Sequence, residues 1–183
     1  IASGRTLSGG ITVTAGSLKL AETGELASTI SMSGGELDAD NSSTLSGTLT
    51  QAGNITIDVA DDKTLTYSGT AISLGANTLT LSGGGSLVSG GLTLNNASSK
   101  LLLNSITVDN VSTSANSLGL DVDADSTVTS LSVGYITPVS IASGSSLSGG
   151  ITVSAGSIKL AETGTLASSI SMSGGTLDAD ESS

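Results

Sequence analysis

Residues 6–25 read TLSGGITVTAGSLKLAETGE, and the order of apolar and polar residues in them decides the fold. The apolar residues are Leu7, then Ile11 and Val13, then Leu18 and Leu20. Within each pair every second residue is apolar, as in Ile11-Thr12-Val13 and Leu18-Lys19-Leu20. That is the period of a β-strand, which sends alternate side chains to opposite faces. Small residues separate the segments. Gly9 and Gly10, and further on Gly34, Gly35, Gly90 and Gly91, suit sharp corners that need positive φ. Segments this short do not hold as isolated strands, so they must pair with something outside themselves.

The same order recurs along the chain. Cuts at equivalent apolar positions give 6–25, 26–43, 44–63, 64–85, 86–105, 106–126 and 127–145. Leu45, Leu49, Ile55 and Ile57 carry the third coil, and Leu65, Ile72, Leu74, Leu79 and Leu81 the fourth. Leu87, Leu92, Leu94, Leu101 and Leu103 carry the fifth. Coils stacked about 4.8 Å apart let each strand pair with its equivalents above and below. Leu45 is expected beside Leu65, Leu65 beside Leu87, and Ile11 beside Ile30. The predicted fold is all-β: a single-stranded right-handed parallel β-helix, a β-solenoid, of about nine coils of about 20 residues. Two-residue hairpin turns such as Asn-Gly do not occur, which argues against stacked antiparallel hairpins. Helical periodicity is absent too, which argues against an α-solenoid.

A larger period overlies the coil. Residues 1–43 return as 141–183, with differences at Arg5/Ser145, Thr6/Ser146, Thr14/Ser154, Leu18/Ile158, Glu25/Thr165, Thr29/Ser169, Glu36/Thr176 and Asn41/Glu181. Every Gly is kept, and the one apolar difference stays apolar. Alternation places the other differences outside, as expected where packing and corner geometry are the shared constraint. The organisation predicted is one continuous solenoid over 1–183, with a first unit at 1–140 and a second starting at 141. The alternation runs unbroken through ITPVSIASGSSLSGG, so units are expected to join without a linker. The chain starts and stops within the pattern. It is therefore expected to be part of something longer, with any targeting segment elsewhere.

Composition narrows the function. The 183 residues include no Cys, His, Trp or Phe and only two Tyr, and the net charge is −11. A thick globular core normally draws on large aromatics, so the core here must be narrow. Five basic residues, Arg5, Lys19, Lys63, Lys100 and Lys159, make no patch for nucleic acid. No apolar run is long enough for a transmembrane helix. Triads and zinc sites built on His or Cys are impossible. A carboxylate-based glycan hydrolase or lyase would need clustered acids, and usually basic residues and aromatic platforms that this chain lacks. The expectation is no enzyme.

Segments such as LSGGITVTAGSLKLAETGELAS and ANTLTLSGGGSLVSGGLTLNN resemble the β-strand repeats of bacterial autotransporter passengers and filamentous-haemagglutinin-type adhesins. The resemblance covers nearly the whole chain. It implies a right-handed parallel β-helix on, or secreted from, a Gram-negative surface, and carries no catalytic residues over. The 140-residue unit departs from a typical passenger and suggests a giant tandem protein.

Two candidate sites remain. In LDVDADST, alternation turns Leu120, Val122 and Ala124 inward and Asp121, Asp123 and Asp125 outward. Three such carboxylates could share Ca2+, which takes about six to eight oxygens. A turn Gly and a bidentate Glu are missing, so the plainer reading is a solvated acidic face that keeps a rod soluble. Asp38 and Asp40, the trio Asp58, Asp61 and Asp62, and Asp178, Asp180 and Glu181 read the same way. The second candidate is the Thr-x-Thr set, Thr12/Thr14, Thr48/Thr50, Thr64/Thr66 and Thr78/Thr80, which resembles ice-binding arrays but wanders in phase. Leu102 breaks alternation and faces outward, and Tyr67 and Tyr135 are expected to pack at corners. The function expected is a stiff segment of an extracellular or surface fibre. An adhesive face for glycan or another cell is the alternative, and an ice binder a third. The partners expected are neighbouring repeats, with self-association end to end or side by side.

Overall fold

The computed structural model describes residues 9–20 and 23–179. These residues form strands and corners, without a helix, in a β-solenoid of about nine turns spaced about 19–20 residues apart. Each coil complete within the described residues supplies a strand to each of three faces. The first face begins with Ile11–Val13, Ile30–Met32 and Leu49–Gln51, and resumes at Ile72–Ser73 and Leu92–Leu94. The second runs unbroken from Ser17–Leu20 to Thr176–Ala179. The third contains Glu25–Leu26, Ser43–Leu45, Thr64–Tyr67 and Ser86–Val88. In the later coils the long strands Thr107–Thr113, Ser126–Val133 and Ser146–Val153 pass through a corner and serve the third and first faces together. The coil boundaries expected at 26, 44, 64, 86 and 127 fall within third-face strands, and the one at 106 falls just before Thr107–Thr113.

Columns of aliphatic side chains fill the interior. On the second face Leu18 pairs with Leu37, Leu37 with Ile57, and Ile57 with Leu81. The column continues through Leu103, Val122 and Ile141 to Leu160. Leu37, Leu81, Leu103 and Val122 are fully buried. Ile158, the sequence equivalent of Leu18, lies in the neighbouring column with Val139, Leu120, Leu101, Leu79 and Ile55. Over one 140-residue unit the second face has therefore slipped by two residues. A slip of two keeps each side chain on its own side of the sheet, whereas a slip of one would turn the core outward.

Ile11 pairs with Ile30, and Leu65 with Leu87, as the alternation predicts. Leu45 does not pair with Leu65. Its partner is Tyr67, while Leu65 sits over Ser43. Again the register has moved by two, and it places the Tyr67 ring in the core at 4% exposure. Here the first face is interrupted, with no pairing between Leu49–Gln51 and Ile72–Ser73. In the coils before, the matching N–H groups donate to the next coil, Ile11 to Thr29 and Ile30 to Thr48. The Leu49 N–H instead donates to the Tyr67 hydroxyl at 3.3 Å. Gly69 makes room, since a Cβ there would lie 2.3 Å from the phenol.

The corners correct the glycine reading. Gly9, Gly35 and Gly91 adopt positive φ, but Gly10, Gly34 and Gly90 do not. Gly34 is constrained by its neighbour instead, because a Cβ would stand 2.5 Å from the Thr14 carbonyl in the coil below. Corners also break the inside–outside rule. Ser145, assigned outward, is only 5% exposed, and its hydroxyl donates to the Asp123 carbonyl at 2.9 Å. Its first-copy counterpart Arg5 lies outside the described residues. Pro138 opens the second-face strand Pro138–Ile141.

Tyr67→Phe leaves the Leu49 N–H without its acceptor, and the expected cost is about 1–3 kcal/mol in urea unfolding. Tyr135→Phe, at an exposed position, is expected to change stability by less than about 0.5 kcal/mol. Equal effects from the two would contradict the bridging role of Tyr67.

Candidate functional site

Asp121 and Asp123 of LDVDADST line one shallow cavity with Lys159, but only Asp121 lies on a strand. Asp121 stands outward on the second-face strand Gly119–Val122. Asp123 and Asp125 follow on the corner beyond it, and Ala124 between them is half-exposed where alternation had turned it inward. Each end residue has its own partner. Lys100 Nζ lies 2.7 Å from Asp121 Oδ2. The Ser146 N–H and hydroxyl both donate to Asp125 Oδ1, at 2.8 and 2.9 Å. Among the described residues no three acidic side chains come together as a metal-binding group.

The other acids are engaged in a similar way. Lys19 Nζ lies 2.8 Å from Asp40 Oδ2 and 3.0 Å from Asp38 Oδ2. Hydrogen bonds to Asp40, then Asp38, hold the Lys19 ammonium well above its ordinary pKa. A raised lysine stabilises fully below its unfolded value of about 10.4 and loses that contribution only as pH rises through the folded value. The pair is solvated, so its effect is small, and it is constant through neutral pH. Asp58 accepts from the Ser82 hydroxyl at 2.6 Å and stacks on Asp38 in register. Asp61 and Asp62 form a turn in which Asp62 has φ 59°. Asp178 pairs in register with Lys159, while Asp180 and Glu181 lie outside the described residues. Leu102 faces outward, half-buried between Thr80 and Asp121.

Charge is therefore segregated. Among the described residues it falls on the second face, on the corner after it, on Glu25 of the third face, and on Asp109 at the turn toward the first face. The first face carries none, and neither does the corner that follows it. Its outward positions are Thr12, Ser31 and Thr50, then Ser73, Thr93, Ser112, Ser132, Thr152 and Ser171. Pairing runs in register through the first three and again from Ser73 to Ser171. Every coil thus presents one hydroxyl on this face, in one in-register run of three and another of six.

The Thr-x-Thr pairs do not form this line. Thr64/Thr66 lie on the third face and Thr78/Thr80 on the second, and only Thr12 and Thr50 belong to it. Most positions of the line are a Ser or Thr between two apolar residues, but the same pattern occurs on the second face, as in Leu79-Thr80-Leu81, so it does not single out the line. On the following corner Leu118, Tyr135 and Ile136 are 58%, 45% and 70% exposed, a small apolar patch. Tyr135 thus stands at a corner as expected, but outward, whereas Tyr67 is a core residue. The Ser117 and Thr137 hydroxyls, 3.0 Å apart, tie the two loops of that patch together.

Comparison with protein-family models, curated proteins and solved structures finds no match to the chain.

Because Asp121 and Asp125 already hold partners, Ca2+ titration is expected to move the melting temperature by no more than about 2 °C, and EDTA not at all. A drop of about 10 °C on chelation would show a shared structural ion.

Proposed function

We propose that the chain is a stiff structural segment of a longer extracellular or cell-surface fibre and has no catalytic activity of its own. The observation that carries this is the stacking itself. The second face pairs without interruption through all nine coils, including the passage from the first 140-residue unit into the second. A fold whose coils contact chiefly their neighbours lengthens by repetition without changing its cross-section. Tandem units can then extend the rod at about 34 Å per unit, from seven coils about 4.8 Å apart. The resemblance to autotransporter and haemagglutinin-type repeats supports placement at a bacterial surface. The charged residues of the second face and of the corner after it support solubility. The lack of His and Cys supports a mechanical role over a chemical one.

Two complete units joined directly, residues 1–140 twice, are expected to gain about 34 Å in maximum dimension over one unit by small-angle scattering. Unit-to-unit angles that vary freely, or a gain far from that value, would remove the basis for a rigid fibre. Incubation with a panel of polysaccharides is expected to release no reducing ends.

A further inference from the structure

We infer that the uncharged first face, with the corner after it, is a lateral docking surface for a second copy of this chain. The proposal deepens the rod reading and rests on it, since it says how rods would bundle.

Three observations converge. The first is charge. A chain of net −11 repels its copies, and its acids and lysines lie on the other faces and corners, with Asp109 at one margin of this surface and Glu36 and Lys100 at the other. Two copies can approach closely through the first face without opposing like charges, and unlike the third face, which carries Glu25, it adjoins the exposed apolar corner. The second is bulk. Thr93 and its equivalents carry short side chains, and Gly, Ala, Ser and Asn dominate the turns beside them, so no long side chain of this face holds a second copy away. Two such ladders can interleave donors and acceptors at the same coil spacing. The third is the apolar patch of Leu118, Tyr135 and Ile136, which stands on the neutral corner. Exposed apolar clusters rimmed by polar residues mark contact sites, and Tyr is frequent at their centres.

The size fits. Nine coils at about 4.8 Å give a strip about 43 Å long, and the face with its corner is about 20 Å wide. An antiparallel pair about a two-fold axis sets patch against patch. The area is about 600 Å² per partner with the patches opposed and about 800 Å² with the rods fully overlapped, within the range of stable dimers.

Sedimentation equilibrium and small-angle scattering from about 5 μM to about 1 mM test this, at low and high salt. The expected result is a reversible dimer as long as the monomer but thicker, tightening as salt screens the acidic faces. Ile136→Asp and Thr152→Asp are each expected to weaken the dimer at least about tenfold. Thr107→Asp, on the exposed part of the third face, is expected to leave it unchanged, and circular dichroism checks that all three variants fold. A monomer throughout, a dimer of doubled length, or equal weakening by Thr107→Asp would overturn the proposal. So would a monomer that binds a neutral polysaccharide or ice through Ile136 or Thr152. The length of the monomer at low concentration tests the rod separately from the pairing.

Discussion

The structure depends on one constraint: parallel strands must stack in register while their side chains alternate in and out. Coil length can then vary only at corners, and a face can slip only by even numbers of residues. Both adjustments occur. Leu45 meets Tyr67 where its equivalent by pattern is Leu65, and the Leu18 column arrives at Leu160 and not at Ile158. The core tolerates both because any inward aliphatic can stack on any other. No single contact specifies the register.

The slip matters for what a tandem array displays. Residues identical in sequence at an interval of 140 do not return to the same column on the second face. Lys19 stacks in line with Asp38 and Asp58, whereas Lys159 stacks in line with Ser140 and Asp121. What does return is the local neighbour, since Lys159 pairs with Asp178 as Lys19 does with Asp38. Contacts between adjacent coils are conserved along the chain, while long straight arrays of identical residues are not. A receptor that read one charged column over many coils would meet a changing surface. From Ser73 to Ser171 the first face escapes this problem, because Ser and Thr substitute for one another at each level.

Tyr67 shows how the fold absorbs a local mismatch. The long turn after Thr64–Tyr67 interrupts pairing on the first face, and a buried N–H without a partner is costly. The only buried aromatic of the chain supplies both the volume and the acceptor, while the other two faces continue across the gap. Interruption of one face in three leaves the stack intact, and the fault stays local because each coil is held mainly by its nearest neighbours.

Period-two alternation in short segments, small residues between them and the recurrence of the whole at about 20 residues were sufficient for the solenoid, its coil boundaries and its narrow core. These are local properties, written by each strand for itself. Which strands share a face was not local. It depends on how many residues each corner consumes, and corners such as those around Ser145 and Ala124 suspend the alternation that sequence reading relies on. The acidic triplet was read as one alternating strand, but the strand ends at Val122 and Asp123 and Asp125 follow on the corner. The hydroxyl line was present as one residue per coil, too sparse to stand out beside the Thr-x-Thr pairs. Only stacking, which brings residues about 20 apart to within a strand's width, turned it into a surface.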